Sequence, residues 1–256
     1  MRGNWLILAT GGLFSGILAG LLGIGGGTVL VPLLVSLGYA PVQAVATSSL
    51  AILVTSISGS IQNWRMGYFD WKRVSLLGFP AVVTSQIGVY VASRVLPYIL
   101  LLAFGILLLV NVYLVNLRQH LTTKQTSTET PFNPLLARLF TGGAAGILAG
   151  LFGVGGGVIM VPLQMLLLKE EIKVAIQTSL GVIVITAISA TIGHTITGNV
   201  LFIPGLLLGC GGLLGAQMST RLLPKLPDRI VSFVFRLFLG ILSIYVFWQA
   251  WQAYFA

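Results

Sequence analysis

The chain has 256 residues, of which 56% are hydrophobic and only 7% are charged, and its mean hydropathy is +1.00. Because a soluble domain carries about 25% charged residues, this composition excludes an ordinary soluble protein and indicates a membrane protein. The formal net charge of +9 does not point to nucleic acid, since the basic residues are scattered through short loops and form no patch.

Eight apolar segments have a length near the roughly 20 residues that a membrane-spanning helix needs. In chain order they cover 4–22, 42–61, 74–95, 98–117, 135–152, 172–192, 200–223 and 230–251. Two shorter apolar runs, 28–37 and 158–168, each follow a cluster of glycines. The sequence therefore predicts an all-α polytopic membrane protein.

The chain contains an internal duplication. The stretch GILAGLLGIGGGTVLVPL from Gly16 recurs as GILAGLFGVGGGVIMVPL from Gly146, with 13 of 18 residues identical. Further matches extend the repeat on both sides of this motif. Gly12, Gly16 and Gly20 match Gly142, Gly146 and Gly150, and TSSLAILV from Thr47 matches QTSLGVIV from Gln177. Asn63 and Gly67 match His194 and Gly198, and Gly88, Arg94 and Pro97 match Gly215, Arg221 and Pro224. This predicts a first repeat over 1–117, a polar linker over 118–134 and a second repeat over 135–256.

Each repeat is predicted to hold a glycine-broken helix or hairpin and three further transmembrane helices. If each break lies within one crossing, the loop Lys and Arg residues divide 7 against 6 between the two sides of the membrane; if each broken pair is a hairpin, they divide 11 against 2. The positive-inside rule favours the hairpin. A hairpin inverts the second half relative to the first and places both termini outside, so we expect an inverted repeat like those of secondary transporters.

The glycine breaks are candidate anion sites. A broken membrane helix exposes backbone N–H and C=O groups, which is tolerated only inside protein or beside water. A short helix that starts after the glycines would direct its positive dipole end at a ligand. The candidate residues are Gly25, Gly26, Gly27, Gly155, Gly156 and Gly157. The alternative is a sharp turn between packed helices, and the Gly12 and Gly142 series are expected to serve close helix packing.

A hydroxyl-rich motif follows each break, ATSSL from Ala46 and IQTSL from Ile176. Its candidate ligand residues are Thr47, Ser48, Ser49, Gln177, Thr178 and Ser179. These side chains are expected to contact an anion, because neutral donors allow its release, whereas a buried Arg would hold it or need a permanent partner. The alternative is that they cap helices and form interhelical hydrogen bonds.

All five acidic residues fall in loops or at helix ends, so no carboxylate is predicted to offer a proton relay or cation site within the membrane. His194 could titrate near neutral pH, but its repeat partner is Asn63. Asn63 and His194 are candidates for a polar or proton site, and the alternative that the sequence favours is a structural or interfacial His194. No metal or other cofactor is predicted, and no catalytic constellation indicates an enzyme.

The motif GxxxGLxGxGGGxxxVP in both halves, with ATSS, QTS and the GYFDW stretch from Gly67, resembles the TauE/SafE sulfite-exporter family over essentially the whole chain. The resemblance implies a bacterial inner-membrane permease. Its substrate would be a small sulfur-containing anion, namely sulfite, a sulfonate such as sulfoacetate, or a thiosulfate-like species. From the two glycine breaks, we expect the anion to bind between the halves near mid-membrane. A passive anion channel and a permease for another small organic anion stay open. The expected partners are the anion and the lipid bilayer, with a possible homodimer and no nucleic acid.

Overall fold

The structure is a computed structural model that describes residues 5–124 and 133–255, with the side chains of 5–115 and 133–255. These residues form ten α-helices and no β-strand. The helices are α1 (Trp5–Leu22), α2 (Gly27–Ser36), α3 (Pro41–Arg65), α4 (Trp71–Ala92), α5 (Pro97–Lys124), α6 (Pro134–Phe152), α7 (Gly157–Leu167), α8 (Ile172–Ile196), α9 (Phe202–Leu222) and α10 (Asp228–Phe255). A 3-10 turn, Leu223–Lys225, follows α9.

Eight of these helices are long and apolar enough to cross a bilayer, and α2 and α7 are the two short ones. The polytopic all-α prediction is therefore confirmed. Helix α5 continues to Lys124, so the first part of the predicted linker, from Arg118, is helical. The linker between 125 and 132 lies outside the described residues, and the boundaries of the two repeats stay a prediction.

Helices α1 and α2 form a hairpin. The Ser15 hydroxyl donates to the carbonyl of Gly26 at 2.9 Å, and the side chain of Leu33 fills the space beside Gly11. Trp5 at the start of α1 lines one cavity together with Leu37, just after α2. Because later residues of α2 lie beside earlier residues of α1, α2 runs back along α1 to the end where α1 begins.

Helices α6 and α7 form the equivalent hairpin in the second half. Gly156, which precedes α7, packs so closely on the carbonyl of Ala145 in α6 that a Cβ would not fit. Arg138, in the second turn of α6, lies close enough to Glu170, just after α7, to act on its charge. The hairpin alternative is thus the one that both halves adopt.

The two hairpins enter from opposite ends of the helix bundle. Arg73 at the start of α4 pairs with Glu170 before α8, and Lys173 in α8 pairs with Asp228 at the start of α10. We call this the basic end, and α6 begins here too. At the opposite end, Tyr98 in the first turn of α5 contacts Tyr254 in the last turn of α10. Since α1 begins at the opposite end and α6 at the basic end, the contacts are consistent with the expected inverted repeat.

Small residues let each half pack its first helix against the fourth helix of the other half. Gly12 and Gly16 of α1 lie against the backbone of Leu208 and Gly212 in α9. Gly142 and Gly146 of α6 lie against the backbone of Leu77 and Ala81 in α4. No Cβ would fit at any of the four glycines, so the expected close packing of these glycine series is observed, and it locks the halves together.

The structure changes part of the predicted repeat alignment. The glycine motifs are 130 positions apart, but α3 and α8, each of 25 residues, begin at Pro41 and Ile172. Helices α5 and α10, each of 28 residues, begin at Pro97 and Asp228. Both pairs are offset by 131 positions, because α7 is one residue longer than α2. The predicted alignment of TSSLAILV with QTSLGVIV is therefore wrong by one residue. The same offset shows that the pairing of Gly88, Arg94 and Pro97 with Gly215, Arg221 and Pro224 is wrong.

Candidate functional site

Three glycines in each break adopt positive φ. The angles are +66° at Gly23, +72° at Gly25 and +82° at Gly26, and in the second half they are +61° at Gly153, +72° at Gly155 and +79° at Gly156. A residue with a Cβ rarely adopts this conformation, so glycine is needed to reverse the chain in so few residues. A sharp turn therefore accounts for three glycines in each break, and contact between these glycines and an anion stays a prediction.

The last glycine of each motif is required for a different reason. Gly27, the first residue of α2, lies directly against the carbonyl of Gly153 at the end of α6, and Gly157, the first residue of α7, lies against the carbonyl of Gly23. Neither position has room for a side chain. The two breaks thus contact each other, although 130 residues separate them in the chain.

This contact pairs opposite ends of helix dipoles. The first residue of α2 lies against the carbonyl of Gly153, the C-cap of α6, and the first residue of α7 lies against the carbonyl of Gly23 after α1. Positive and negative dipole ends attract. In this conformation the hairpin of the other half therefore occupies the space beside each N-terminus that was predicted to face an anion.

Apolar side chains fill the remaining space between the breaks. A Cβ at Gly25 or Gly155 would already contact both Ile52 of α3 and Ile183 of α8, and both isoleucines are fully buried. The structure thus brings the two glycine trios together at the centre of the bundle but leaves no room for an anion beside them. An anion could enter only if the hairpins moved apart.

Two of the predicted hydroxyls bind the breaks themselves. Ser48 donates to the carbonyl of Gly153 at 2.7 Å, and Ser179 donates to the carbonyl of Gly23 at 2.8 Å. Both serines are buried in the second turn of their helices, so they are interhelical donors and not N-caps. They satisfy backbone carbonyls that the breaks expose, as a membrane interior requires.

The other predicted polar residues of this motif have different surroundings. Thr47 accepts a hydrogen bond from the backbone N–H of Leu201 at 3.1 Å. Ser49 donates to Val45 of its own helix at 3.1 Å. Gln177 and Thr178 are buried in α8, directly before Ser179. The structure therefore brings only Ser48 and Ser179, of the six, into hydrogen-bonding contact with the breaks.

Thr28 is a residue of the break that the sequence analysis missed. It lies in the first turn of α2, directly after Gly27, is fully buried, and its hydroxyl has no hydrogen-bond partner. The corresponding residue of the second half is Val158. The difference between GGGT and GGGV in the two otherwise similar motifs was the available signal. A buried hydroxyl without a partner at a helix N-terminus is a natural ligand contact.

Asn63 and His194 do not come together. Asn63 lies near the end of α3 at the basic end, and His194 near the end of α8 at the opposite end. His194 Nε2 lies 2.9 Å from the carbonyl of Gly150, which fits the structural interpretation, while its Nδ1 and both polar atoms of Asn63 are buried without partners. The two candidate polar positions are therefore separate, and a role for either in proton transfer stays a prediction.

A cavity of about 780 Å³ opens at the opposite end of the bundle. It lies between the start of α1, the α2–α3 connection and the start of α9, and its lining includes Tyr39, Gln43 and Leu201. Leu201 donates its N–H to Thr47, one helical turn deeper than Gln43. The next residue along α3 is Ser48, which contacts the second break, so the cavity approaches the breaks from this end.

The described side chains offer no metal site, because no three His, Cys, Asp or Glu residues among them are grouped closely enough to hold an ion. The donors at the centre are hydroxyl groups and backbone amides. Such groups suit an anion or a neutral polar ligand.

The family model for the sulfite exporter TauE/SafE matches residues 8–246, which is almost the whole chain. The chain belongs to the TauE/SafE family. It is 26% identical to the probable membrane transporter protein YunE of Bacillus subtilis, across 96% of this chain and 98% of that protein. It is 31% identical to a probable membrane transporter protein of Methanocaldococcus jannaschii, across 73% of this chain and 71% of that one.

A plant member of the TauE/SafE family is also similar over a shorter region. Sulfite exporter TauE/SafE family protein 1 of Arabidopsis thaliana is 35% identical across 37% of this chain and 21% of its own length. No solved structure matches the chain significantly. The family and the named relatives therefore indicate a membrane transporter of the sulfite-exporter type.

Proposed function

We propose that the chain is a secondary carrier for a small sulfur-containing anion, such as sulfite, a sulfonate or a thiosulfate-like species, and that the anion binds between the two glycine breaks. The observation that carries this proposal is the contact of two helix N-termini with two opposing carbonyls at the centre of the bundle. Membership of the TauE/SafE family supports the substrate class.

Binding would require the hairpins to separate. The carbonyls of Gly23 and Gly153 now occupy the positions that face α7 and α2. A sulfur oxyanion carries several acceptor oxygens and more negative charge than a carbonyl, so it could replace them beside the N–H groups. The unpartnered hydroxyl of Thr28 would gain a hydrogen bond at the same time. Neutral donors of this kind bind modestly and release readily, as a carrier needs.

The placement of carboxylates supports an anion over a cation. Among the described residues, Asp70, Glu170, Glu171 and Asp228 lie in connections or at the start of a helix. An ion path for a cation normally includes carboxylates inside the membrane. We further propose that the protein lies in a bacterial inner membrane with its basic end in the cytoplasm, because positively charged loops stay on that side.

Transport by purified protein in phosphatidylethanolamine and phosphatidylglycerol vesicles tests the function. Sulfite, sulfate, sulfoacetate and thiosulfate would be compared for saturable uptake and for counterflow against an internal load of the same anion. A carrier shows both, whereas conductive anion flux without counterflow would establish the channel alternative. Counterflow of a carboxylate but of none of the sulfur anions would contradict the proposed substrate class.

The substitution Thr28→Val tests the binding site without disturbing the glycines. It keeps the shape of the side chain and reproduces the residue found at the corresponding position of the other half. Losing one neutral hydrogen bond to the anion costs about 0.5–1.5 kcal/mol, which corresponds to a roughly threefold to tenfold weaker affinity. The affinity would be measured by titrating sulfite, or whichever anion shows counterflow, into the purified protein.

Thr141→Val is the matched control. Thr141 of α6 is also fully buried with an unpartnered hydroxyl, but it lies twelve residues before Gly153, about 18 Å along the helix. Neither substitution should lower the melting temperature, because neither removes a hydrogen bond. Equal anion affinity in the wild type and Thr28→Val would remove Thr28 from the site, and equal weakening by both substitutions would refute a site at the breaks.

A further inference from the structure

The cavity at the opposite end has a counterpart of very different chemistry at the basic end. Four of the residues that line the cavity are Leu8, Tyr39, Leu201 and Pro204. The repeat offset of 130 positions for the first helix of each half, and of 131 for the others, identifies the corresponding residues. Arg138 corresponds to Leu8, Glu170 to Tyr39, Asp70 to Leu201 and Arg73 to Pro204. All four counterparts are charged, whereas the four cavity residues are not.

The four charged residues form one cluster. Arg73 Nε lies 3.0 Å from Asp70 Oδ2, and Arg73 Nη1 lies 3.4 Å from Glu170 Oε1. Arg138 also acts on the charge of Glu170. The side chain of Glu170 is only 10% exposed. The Arg73–Glu170 ion pair therefore joins the start of α4 to the α7–α8 connection, and Arg138 in the second turn of α6 contributes only the effect of its charge.

Two equivalent structural elements are thus apart at one end and joined by an ion pair at the other. At the opposite end, the start of α9, the α2–α3 connection and the start of α1 surround a cavity of about 780 Å³. At the basic end, the Arg73–Glu170 ion pair joins the counterparts of the first two elements, and Arg138, in the counterpart of the third, acts on the charge of Glu170. We propose that the Asp70–Arg73–Glu170–Arg138 cluster is the gate that closes the transport path at the basic end, in a conformation open at the opposite end.

The contacts of the cluster suit a gate that must open again. Arg73 and Asp70 are 36% and 47% exposed, so water can replace their contacts with each other. Glu170 Oε2 and Arg138 Nε are buried without hydrogen-bond partners. The closed gate therefore leaves polar groups unsatisfied, which lowers the cost of opening. Opening would separate Arg73 from Glu170, as Pro204 and Tyr39 are separated by the cavity at the opposite end.

Cysteine labelling tests the gate in a Cys210→Ser background. Val174 lies in α8, one helical turn after Glu170 in the chain, and its counterpart Gln43 lines the open cavity. Each of the two is replaced by cysteine in turn. A charged, membrane-impermeant methanethiosulfonate reagent should modify Gln43→Cys faster than Val174→Cys. Glu170→Gln or Arg73→Gln should raise the rate at Val174→Cys at least threefold and leave the rate at Gln43→Cys unchanged.

Asp228→Asn is the matched control, because it removes the Lys173–Asp228 pair, 3.2 Å long, at the same end but outside the cluster. It should leave the rate at Val174→Cys unchanged. An unchanged rate in both gate variants would overturn the proposal, as would an equal rise in the control. The gate depends on the proposed transport function, but the labelling needs no substrate, so failure of the gate is distinguishable from a wrong substrate.

Discussion

Ser48 and Ser179 occupy equivalent positions in the two halves and make the same contact in opposite directions. Ser48 donates to the carbonyl of Gly153 at 2.7 Å, and Ser179 donates to the carbonyl of Gly23 at 2.8 Å. Each carbonyl belongs to the break of the other half. The pair therefore connects both hairpins to the long central helices α3 and α8.

Replacement of either serine by alanine should destabilise the protein. Ser48→Ala or Ser179→Ala removes a buried hydrogen bond to a break carbonyl, at a cost of about 0.5–1.5 kcal/mol each. Ser49→Ala is the control, because Ser49 bonds only to Val45 within its own helix. Thermal unfolding in detergent should show lower midpoints for the first two variants and a value near wild type for the control. Equal midpoints in all three would contradict the assignment.

The sequence identified these serines but not their pairing. Ser49 aligns with Ser179 when similarity alone is maximised, because apolar residues on both sides match equally well after a shift of one position. The structure pairs Ser48 with Ser179, since the extra residue of α7 displaces all later helices. Apolar similarity therefore does not determine which residues of the two halves correspond. The correspondence is shown by the hydrogen bond that each serine hydroxyl donates to a break carbonyl of the other half.

Composition and charge predicted the larger features correctly. The length of the apolar segments gave the eight long helices, and the 11 to 2 charge distribution favoured the hairpins that α1–α2 and α6–α7 form. The contact of Gly27 with Gly153 could not be predicted, because it joins two distant segments through tertiary packing. The correspondence between the cavity at Tyr39 and the charged residues at Glu170 could not be predicted either, because it depends on the offset of 131 positions that the structure shows.

Alanine substitutions at the packing glycines should prevent folding. A Cβ at Gly16 would collide with the backbone of Gly212, and a Cβ at Gly146 would collide with the backbone of Ala81. Because backbone atoms cannot rotate away, α1 and α9, or α4 and α6, would have to separate. Both Gly16→Ala and Gly146→Ala should yield little monodisperse protein by size-exclusion chromatography.

Gly240→Ala is the control for this effect. Gly240 lies in α10 with nothing within 4 Å of the position of an added Cβ. Alanine also has a helix propensity about 1 kcal/mol better than glycine. The yield and melting temperature should therefore equal or exceed those of the wild type. Normal yield of the two packing variants would contradict the role of the glycines.

Cysteine accessibility should separate the two ends of the bundle in whole cells. In a Cys210→Ser background, Tyr68→Cys lies in the α3–α4 connection at the basic end, and Ser93→Cys lies after α4 at the opposite end. Both native side chains are exposed. A membrane-impermeant maleimide should label Ser93→Cys in intact cells and Tyr68→Cys only after permeabilisation. The reverse result would contradict the proposed orientation.

The basic end should respond to acid through Glu170. Burial raises the pKa of the Glu170 carboxyl above 4.5, against the opposing effects of Arg73 and Arg138 and with a smaller contribution from Asp70 in the same direction. A raised pKa means that the folded protein binds this proton more tightly than the unfolded chain does. The stabilising effect of the proton is therefore complete below about pH 4.5, and it is lost as the pH rises through the folded pKa.

Acidification from neutral pH should thus stabilise the wild type relative to Glu170→Gln, whose side chain does not titrate. The same proton removes the attraction between Glu170 and Arg73, so the gate should open more often. The labelling rate of Val174→Cys, divided by that of Gln43→Cys to cancel the effect of pH on the thiol, should rise as the pH falls towards 5. Glu170→Gln should raise this ratio at neutral pH and abolish its dependence on pH. A ratio that changes equally with pH in the wild type and in Glu170→Gln would assign the response to another group.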